Sequence, residues 1–187
     1  MGPTASRGRL PLSEDSYIVT TNRLILREFV SEDIDALAAV LCDPETMKYY
    51  PASFDRAATA EWIERNRARY ENDGFGLWAL ILKSSGELIG DCGLTIQTVD
   101  DVQEIEIGYH VRRDLWNQGI ASEAAHACKL YGLKKLQARR LISLVRPENL
   151  ASCRVAEKNG MTISKTAMRA KLPHLFYQVE RRLGGDV

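Results

Sequence analysis

The stretch from Tyr109 to Ala125 reads YHVRRDLWNQGIASEAA, and it joins the end of an apolar strand to the start of a helix. The first N–H groups of a helix have no partner within it, and they carry partial positive charge. Gly119 and Ala121 keep side-chain bulk away from that end, and Gly119 also permits unusual backbone angles. Ser122 adds a hydroxyl in the first turn. This composition favours an anion site, such as a phosphate site, at the helix start.

Two arginines, Arg112 and Arg113, precede this helix and could attract an anion from the loop. The alternative is an ordinary capped helix after an exposed turn, because one glycine and two small residues are a weak signal by themselves. The local residues leave both interpretations open.

The wider pattern predicts the element order β-α-α-β-β-β-α-β-α-β-β. Alternation in RLILREF, from Arg23 to Phe29, indicates the first strand, and the apolar run GLWALILK indicates a central strand. Helices are predicted from about Asp55 to Gly74, from about Ala121 to Lys135, and from Asn149 to Gly160.

The unit from Glu104 to Val145 is the expected parallel crossover in this order. The predicted fold class is therefore α+β, with a mixed, mostly antiparallel central sheet flanked by helices. We expect residues 1–16 to form a flexible leader and residues 17–187 to form a single domain.

Composition excludes several classes of function. Lys+Arg and Asp+Glu both number 25 among the 187 residues, so the net charge is zero, whereas a general nucleic-acid binder carries a basic excess. No apolar run reaches membrane-spanning length, and the start of the chain lacks an apolar secretory core. The sequence therefore predicts a cytoplasmic protein without nucleic-acid or membrane partners. The four cysteines form no CxxC pair, so no metal site is predicted.

Two motifs carry a resemblance to a known family. The run EIGYHVRRDLWNQGIASEA, followed by NLASCRVAEKNGM, resembles the GNAT superfamily of acyl-CoA N-acyltransferases, in particular its branch of ribosomal-protein N-terminal acetyltransferases. The family's phosphate loop begins with Gln or Arg and has Gly at its fourth position and Gly or Ala at its sixth. Here Gly119 and Ala121 match, whereas Trp116 departs from the first position. The likeness extends from TNRLILREF to LFYQVER.

The resemblance implies that acetyl-CoA is the acyl donor and coenzyme A the product. Backbone N–H groups from Gln118 to Ala121, with Ser122, would bind the pyrophosphate. The strand ending at Val111 would splay from LISLV and leave room for the pantetheine arm. Gly108 fits such a splay, because a strand glycine often marks a bulge or a close approach. The predicted cofactor-binding residues are Tyr109, His110, Val111, Trp116, Asn117, Gln118, Gly119, Ile120, Ala121, Ser122 and Asn149.

Two glutamates are candidates for the base that the reaction needs. Glu104, Glu106, Gly108 and His110 share one face of an alternating strand. The resemblance places Glu106 beside the acyl group, and Glu104 is the second candidate. Alternatively this face meets solvent and its glutamates only confer solubility. His110 is expected at the surface or the rim.

The candidate acid is Ser152. The family often uses a tyrosine four residues before the glycine that ends the last helix, but Ala156 stands there in this chain. Ser152 is then the hydroxyl left to protonate the departing thiolate. Asn149 is predicted to cap its helix by accepting a hydrogen bond from the Ser152 N–H.

The function predicted is an acetyl-CoA-dependent N-acetyltransferase that acts on a primary amine, either a protein N-terminal α-amine or a small molecule. Tyr49, Tyr50 and Phe54, between the first two helices, could select this acceptor or simply pack on the sheet. The alternative is a non-catalytic acyl-CoA-binding or sensing module. A homodimer is left open as the oligomeric state.

Overall fold

Eight strands form one sheet in the computed structural model, which describes residues 16–181. The strands are β1 (Tyr17–Thr20), β2 (Leu24–Arg27), β3 (Leu77–Leu82), β4 (Glu87–Val99), β5 (Val102–Val111), β6 (Arg140–Val145), β7 (Thr162–Arg169) and β8 (Leu172–Glu180). The helices are α1 (Ile34–Leu41), α2 (Arg56–Asp73), α3 (Ile120–Leu130) and α4 (Leu150–Lys158). The α+β class is confirmed, and β1 is a strand that the sequence pattern did not predict separately.

The predicted leader covers residues 1–16, and residues 1–15 lie outside the described part of the chain. The last six residues of the predicted domain, 182–187, lie outside it as well. None of the helices between residues 16 and 181 combines the length and apolar character needed to cross a membrane.

The strands lie across the sheet in the order β1-β2-β3-β4-β5-β6-β8-β7. Every neighbouring pair is antiparallel except β5 and β6, which are parallel and are joined by the crossover through α3. The mostly antiparallel sheet and its parallel unit are therefore confirmed.

The parallel strands β5 and β6 separate soon after they meet. Within the described residues, their ladder is formed at the single position Glu106–Ile142. Beyond it, side chains replace backbone bonds: the Leu144 N–H donates to the Glu106 carboxylate at 3.1 Å, and the Ser143 hydroxyl donates to the Ile107 carbonyl at 2.9 Å. This is the splay that the resemblance implied.

The bulge, however, is not at Gly108. Strand β5 pairs with β4 without interruption from Val102 to Val111, and Gly108 faces Gly93 in regular register. The irregularity nearest to it lies between β3 and β4, next to Gly90, whose φ is +155°. The close backbone approaches are on β4: a β-carbon would come within 2.0 Å of the His110 carbonyl oxygen at Gly90, and within 2.1 Å of the Gly76 carbonyl oxygen at Gly93. The expectation for Gly108 was wrong because both strands continue their pleat through it.

The sheet carries an apolar core on each face. Trp78, Leu94 and Ile107 pack on one face with α3 residues such as Cys128. On the other face, α1 and α2 cover a second cluster that includes Ile81. The sheet therefore holds the starts of α3 and α4 beside the splayed strand ends, where the candidate site lies.

The predicted helix boundaries agree with the structure at α2 and differ at α3. The Asp55 carboxylate accepts from the Ala58 N–H and begins α2, and Gly74, with φ of +77°, ends it. The third helix was expected to reach Lys135. Its α-helical part ends at Leu130, and the chain continues as a π-helical turn over Tyr131–Lys135.

Candidate active site

A cavity of about 340 Å³ opens where β5 and β6 part. Its walls are the end of β5, the loop that leads to α3, the first turns of α3 and α4, and the loop between α1 and α2. All eleven residues predicted to bind the cofactor belong to these segments, and all but Gln118 line the cavity. The structure therefore brings together residues that are separated by up to 40 positions in the chain.

The start of α3 is open. Gly119 occupies the N-cap position with φ of +77°, and no side chain caps the helix there. The first backbone bond of the helix runs from the Glu123 N–H to the Gly119 carbonyl. The N–H groups of Ile120, Ala121 and Ser122 have no hydrogen-bond partner among the described residues. Because an anion satisfies such N–H groups, this end of the helix fits a phosphate.

The loop before α3 is held by hydrogen bonds that leave the helix start clear. The Trp116 indole N–H donates to the Val111 carbonyl at 2.7 Å, and the Arg23 guanidinium donates to the Gln118 carbonyl at 2.9 Å. Asn117 has a positive φ of 61°, and the φ of Gly119 is also positive, at 77°. A β-carbon at Gly119 would meet only the end of the Arg23 side chain, at 3.5 Å. The sequence reading missed Arg23, which lies 95 residues from the carbonyl that it holds.

Arg112 and Arg113 do not line the cavity, and both are paired with acids. Arg112 forms ion pairs with Asp114 at 2.8 Å and Glu87 at 3.5 Å, and Arg113 pairs with Asp43 at 3.5 Å. That either arginine attracts an anion stays a prediction. The cationic side chains that do line the cavity are Lys48, Arg154 and Lys158. The last two lie four residues apart on α4, a spacing that puts them on one helix face.

The start of α4 forms the opposite wall. Asn149 accepts from the Ser152 N–H at 3.2 Å, so the predicted cap is confirmed. The Ser152 hydroxyl lines the cavity and makes no hydrogen bond within the described residues, while its carbonyl accepts from the Tyr109 hydroxyl at 3.3 Å. Burial raises the pKa of Tyr109 above its ordinary value. Ala156 is buried one turn further on, so it offers no hydroxyl there.

The two predicted bases are buried and paired with arginines. Glu104 is held by Arg140, and Glu106 accepts from Arg169 at 3.1 Å as well as from the Leu144 N–H. Burial raises the pKa of Glu106, and the positive charge of Arg169 partly opposes that shift. Both glutamates are only 7% exposed, so the solvent-facing alternative was wrong. Neither side chain belongs to the cavity wall, and their catalytic role stays a prediction.

His110 is also buried, and the expectation of a surface or rim position was wrong. Its Nδ1 lies 2.7 Å from the Asp91 carboxylate, which also accepts from the His110 backbone N–H at 3.0 Å. The other oxygen of Asp91 accepts from the Trp62 indole N–H at 2.8 Å. Sequence reasoning missed Asp91 and the role of Trp62. The available signal was an aspartate inside the otherwise apolar strand segment LIGDCGL.

Aromatic residues of the loop between α1 and α2 divide between the cavity and the core. Tyr49 and Tyr50 line the cavity, and the Tyr49 hydroxyl donates to the Glu148 carbonyl at 3.2 Å. Phe54 packs edge-on against Trp62, with ring centroids 5.5 Å apart. The two tyrosines therefore face the cavity, whereas Phe54 serves packing.

Known proteins resemble this chain in sequence and in fold. The family model described as an acetyltransferase (GNAT) domain matches residues 23–162. An uncharacterised Bacillus subtilis protein, YkkB, is 37% identical over 161 residues, which is 86% of this chain and 94% of the relative. An acetyltransferase structure from Agrobacterium tumefaciens superimposes with a TM-score of 0.77 and 27% identity, and the match covers 93% of this chain and 100% of the other.

A fourth comparison concerns the fold alone. RimL, a ribosomal L7/L12 α-N-protein acetyltransferase solved in complex with coenzyme A, superimposes with a TM-score of 0.71 at 19% identity. The match covers 88% of this chain and 98% of that protein.

Proposed function

This chain belongs to the GNAT acetyltransferase family, and from that premise we propose that it transfers an acetyl group from acetyl-CoA directly to a primary amine. The acceptor is a protein N-terminal α-amine or a small-molecule amine. One observation carries the proposal: the uncapped start of α3 opens on a cavity that reaches the splayed end of β5.

The cavity walls fit the parts of acetyl-CoA. The free N–H groups at the start of α3, together with the neighbouring backbone from Gln118, suit its diphosphate, and Arg154 and Lys158 add positive charge at the rim. The edge of β5 from Tyr109 to Val111, left without a parallel partner strand, suits the amides of pantetheine. Asn149 lines the same wall. When bound, acetyl-CoA supplies the acetyl group as a thioester.

The neighbouring residues meet the other requirements of acyl transfer, which needs a neutral amine and a proton for the leaving sulfur. The Ser152 hydroxyl is the donor that we assign to the sulfur, since Ala156 offers none. A thiol with a pKa of about 8.5 demands little acid strength. For the base, Glu106 stays a candidate that would act through water, because its side chain lies behind the cavity wall. Glu104 is the second candidate.

The ionisation of amines bears on the acceptor. An α-amine with a pKa of about 7.8 is roughly 10–20% neutral at pH 7, whereas a lysine side chain is less than about 0.1% neutral. Acetylation of an α-amine therefore needs a weaker base than acetylation of a lysine side chain. The resemblance in fold to RimL, which acts on a protein α-amine, supports the same choice of acceptor class.

The test is thiol release on mixing the protein with acetyl-CoA and a panel of peptides and small amines, followed by mass spectrometry of the amines. We expect release that depends on an amine, together with a mass gain of one acetyl group on that amine. Thermal stabilisation by acetyl-CoA without turnover on any amine would instead support the non-catalytic binding module. Absence of both effects would refute acetyl-CoA as the ligand.

A further inference from the structure

The hydrogen bonds of Asp91 determine which nitrogen of the His110 ring carries the proton. Asp91 is fully buried, and its carboxylate accepts from the His110 backbone N–H, from Trp62 and from the ring nitrogen Nδ1. An ionised carboxylate can only accept, so Nδ1 must donate. In the neutral ring, Nε2 is then the unprotonated nitrogen with a free lone pair.

The Nε2 lone pair accepts no hydrogen bond within the described part of the protein. His110 is 6% exposed, and its Nε2 is a buried polar atom without a hydrogen-bond partner among the described residues. Buried polar atoms are rarely left unpaired, because each one loses its hydration without compensation. His110 nevertheless belongs to the wall of the cavity that the substrates would enter.

Tyr50 and Trp62 both pack against the imidazole ring. The Tyr50 ring lies over the imidazole with centroids 5.1 Å apart, and Trp62 contacts the imidazole edge-on at 6.0 Å. Tyr50 is itself exposed and belongs to the loop between α1 and α2. An acceptor that displaces the tyrosine ring would reach Nε2 from the cavity.

We propose that His110 is the general base for the acceptor amine, with Asp91 as the residue that positions its ring. This inference rests on the proposed acetyl transfer and names the base for it. As the lone pair of the amine nitrogen forms the bond to the acyl carbon, one N–H proton moves to Nε2. The electron pair of the breaking carbon–sulfur bond leaves with the sulfur. That sulfur takes the proton of the Ser152 hydroxyl, and the proton on Nε2 passes through solvent to the serine oxygen, which restores both the hydroxyl and the neutral ring.

The geometry favours His110 over Glu106 for this role. Glu106 already accepts from Arg169 and from the Leu144 N–H, and it does not line the cavity. Its carboxylate replaces a ladder bond at the point where β5 and β6 separate, which is a sufficient structural reason for its burial. His110 lies four residues after Glu106 on the same face of β5, and it lines the cavity.

Other titratable groups surround the ring and must be separated from it in any pH experiment. Asp91 faces it from β4 and Tyr50 from the loop. The charges of Glu106 on β5 and Arg169 on β7 act on the Tyr50 hydroxyl. Comparing two proteins that differ only at residue 110 cancels these contributions, and it also cancels the ionisation of the amine itself.

The first experiment compares the wild type with His110→Gln, which keeps the backbone bond to Asp91 and removes the base. We expect kcat to fall by about 10²-fold or more, since positioned bases typically contribute that much. We expect the dissociation constant of acetyl-CoA, measured by calorimetry, to change by less than about threefold. The ratio of wild-type to variant kcat should shrink as pH falls, because a base that has become protonated can no longer accept a proton.

His126→Gln is the matched control, because His126 is an exposed histidine on α3. It should leave kcat unchanged. Glu106→Gln, measured in parallel, decides between the two candidate bases. A pH-independent loss in His110→Gln, or a larger loss with a pH-dependent ratio in Glu106→Gln, would overturn the assignment.

The second experiment needs no turnover. The ring nitrogens of the chain's three histidines can be observed by ¹⁵N NMR in the free protein. We expect His110 to show the tautomer protonated at Nδ1, and Asp91→Asn to abolish that preference and to lower kcat. If Asp91→Asn fails to fold, Trp62→Phe removes one donor to the same carboxylate and should shift the His110 signals. A His110 ring protonated at Nε2 in the free wild type would refute the proposal.

The outcomes of this inference and of the proposed function remain distinguishable. If the wild type acetylates no amine, the proposed reaction fails while the tautomer measurement still stands. If the wild type is active and His110→Gln matches it at every pH, only the assignment of the base fails. His110 would then be a structural histidine, with Nε2 bound to a buried water.

Discussion

Helices α2 and α3 begin in opposite ways. At α2, Asp55 occupies the N-cap, and its carboxylate accepts from the Ala58 N–H at 2.7 Å. At α3 the N-cap is Gly119, and no side chain within residues 16–181 caps the N–H groups that follow it. Both ends have the same backbone donors and the same partial positive charge. The chain satisfies one end with its own carboxylate, whereas the other end is the site that we propose for an anionic ligand.

The start of helix α4 combines features of the starts of α2 and α3. Asn149 caps it by accepting from the Ser152 N–H, yet the same asparagine lines the cavity. A neutral amide satisfies the helix without repelling an anionic ligand, as a carboxylate would. The comparison teaches that the charge of the cap, as well as its presence, distinguishes the helix ends at the cavity from the one away from it.

The largest effect is expected from giving α3 the kind of residue that begins α2. Gly119→Asp places a negative charge at the helix start, where it opposes a diphosphate. We expect the dissociation constant for coenzyme A, measured by calorimetry, to rise by about 100-fold, which corresponds to about 2.7 kcal/mol. Gly119→Asn is the matched control, because asparagine has nearly the same shape and tolerates a positive φ.

The aspartate variant should bind coenzyme A much more weakly than the asparagine variant. Equal losses in both would mean that shape rather than charge matters at this position. Unchanged affinity in both would mean that the start of α3 does not hold the diphosphate, and the comparison between the helices would lose its functional meaning.

The next largest effect is expected at the start of helix α4. Asn149→Ala removes the cap of α4 and one polar group from the cavity. We expect unfolding in urea to show a loss of about 1 kcal/mol. We also expect affinity for coenzyme A to weaken by a few fold, about the effect of one neutral hydrogen bond. Lost stability with unchanged affinity would restrict Asn149 to capping.

A smaller effect, on stability alone, is expected at α2. Asp55→Ala removes the cap and should lower the free energy of unfolding by about 1 kcal/mol. Affinity for coenzyme A should not change, because Asp55 does not line the cavity. Changed affinity would show that the two helix ends are coupled. Asp55→Asn should restore most of the lost stability, since asparagine caps almost as well as aspartate.

The smallest effect is expected from the Glu106 carboxylate, which accepts a hydrogen bond from a backbone N–H, as the Asp55 carboxylate does. Burial raises the pKa of Glu106 in the folded protein above the ordinary 4.5. Between those two values the folded state binds more protons than the unfolded state, so the wild type loses stability as pH rises through this interval. Glu106→Gln lacks that titration. The difference in unfolding free energy, variant minus wild type, should therefore increase as pH rises above the ordinary value of 4.5. A stability difference that falls as pH rises would contradict the predicted direction.

Features that depend on neighbouring residues could be predicted from the sequence. Asp55, Gly74, Asn149 and Gly160 end or begin helices where the pattern placed them, because capping involves residues two to four positions apart. The resemblance identified the family for the same reason, since its motifs are continuous in the chain. That the loop from Trp116 to Ser122 binds the diphosphate stays a prediction.

The errors concern partners that are distant in the chain. Arg169 lies 63 residues from Glu106, and Asp91 lies 19 residues from His110 on the adjacent strand. The face of β5 for which solvent exposure was the alternative is buried, because Trp62 of α2, Arg169 of β7 and Tyr50 of the loop before α2 contact its residues. Alternation along β5 shows which residues share a face but says nothing about what covers that face.

The sequence by itself determined the order of the elements from β2 onward, the family, and the small residues at the start of α3, because each depends on short-range pattern. Only the tertiary structure decided which polar groups are paired and which are not. Arg112 and Arg113 are paired with acids, and Glu106 accepts the Leu144 N–H where β5 and β6 separate. The Nε2 atom of His110, a residue of the cavity wall, has no hydrogen-bond partner within residues 16–181. Strand register and helix packing bring these groups together, and the energies that set register are summed over the whole sheet rather than written in any one segment.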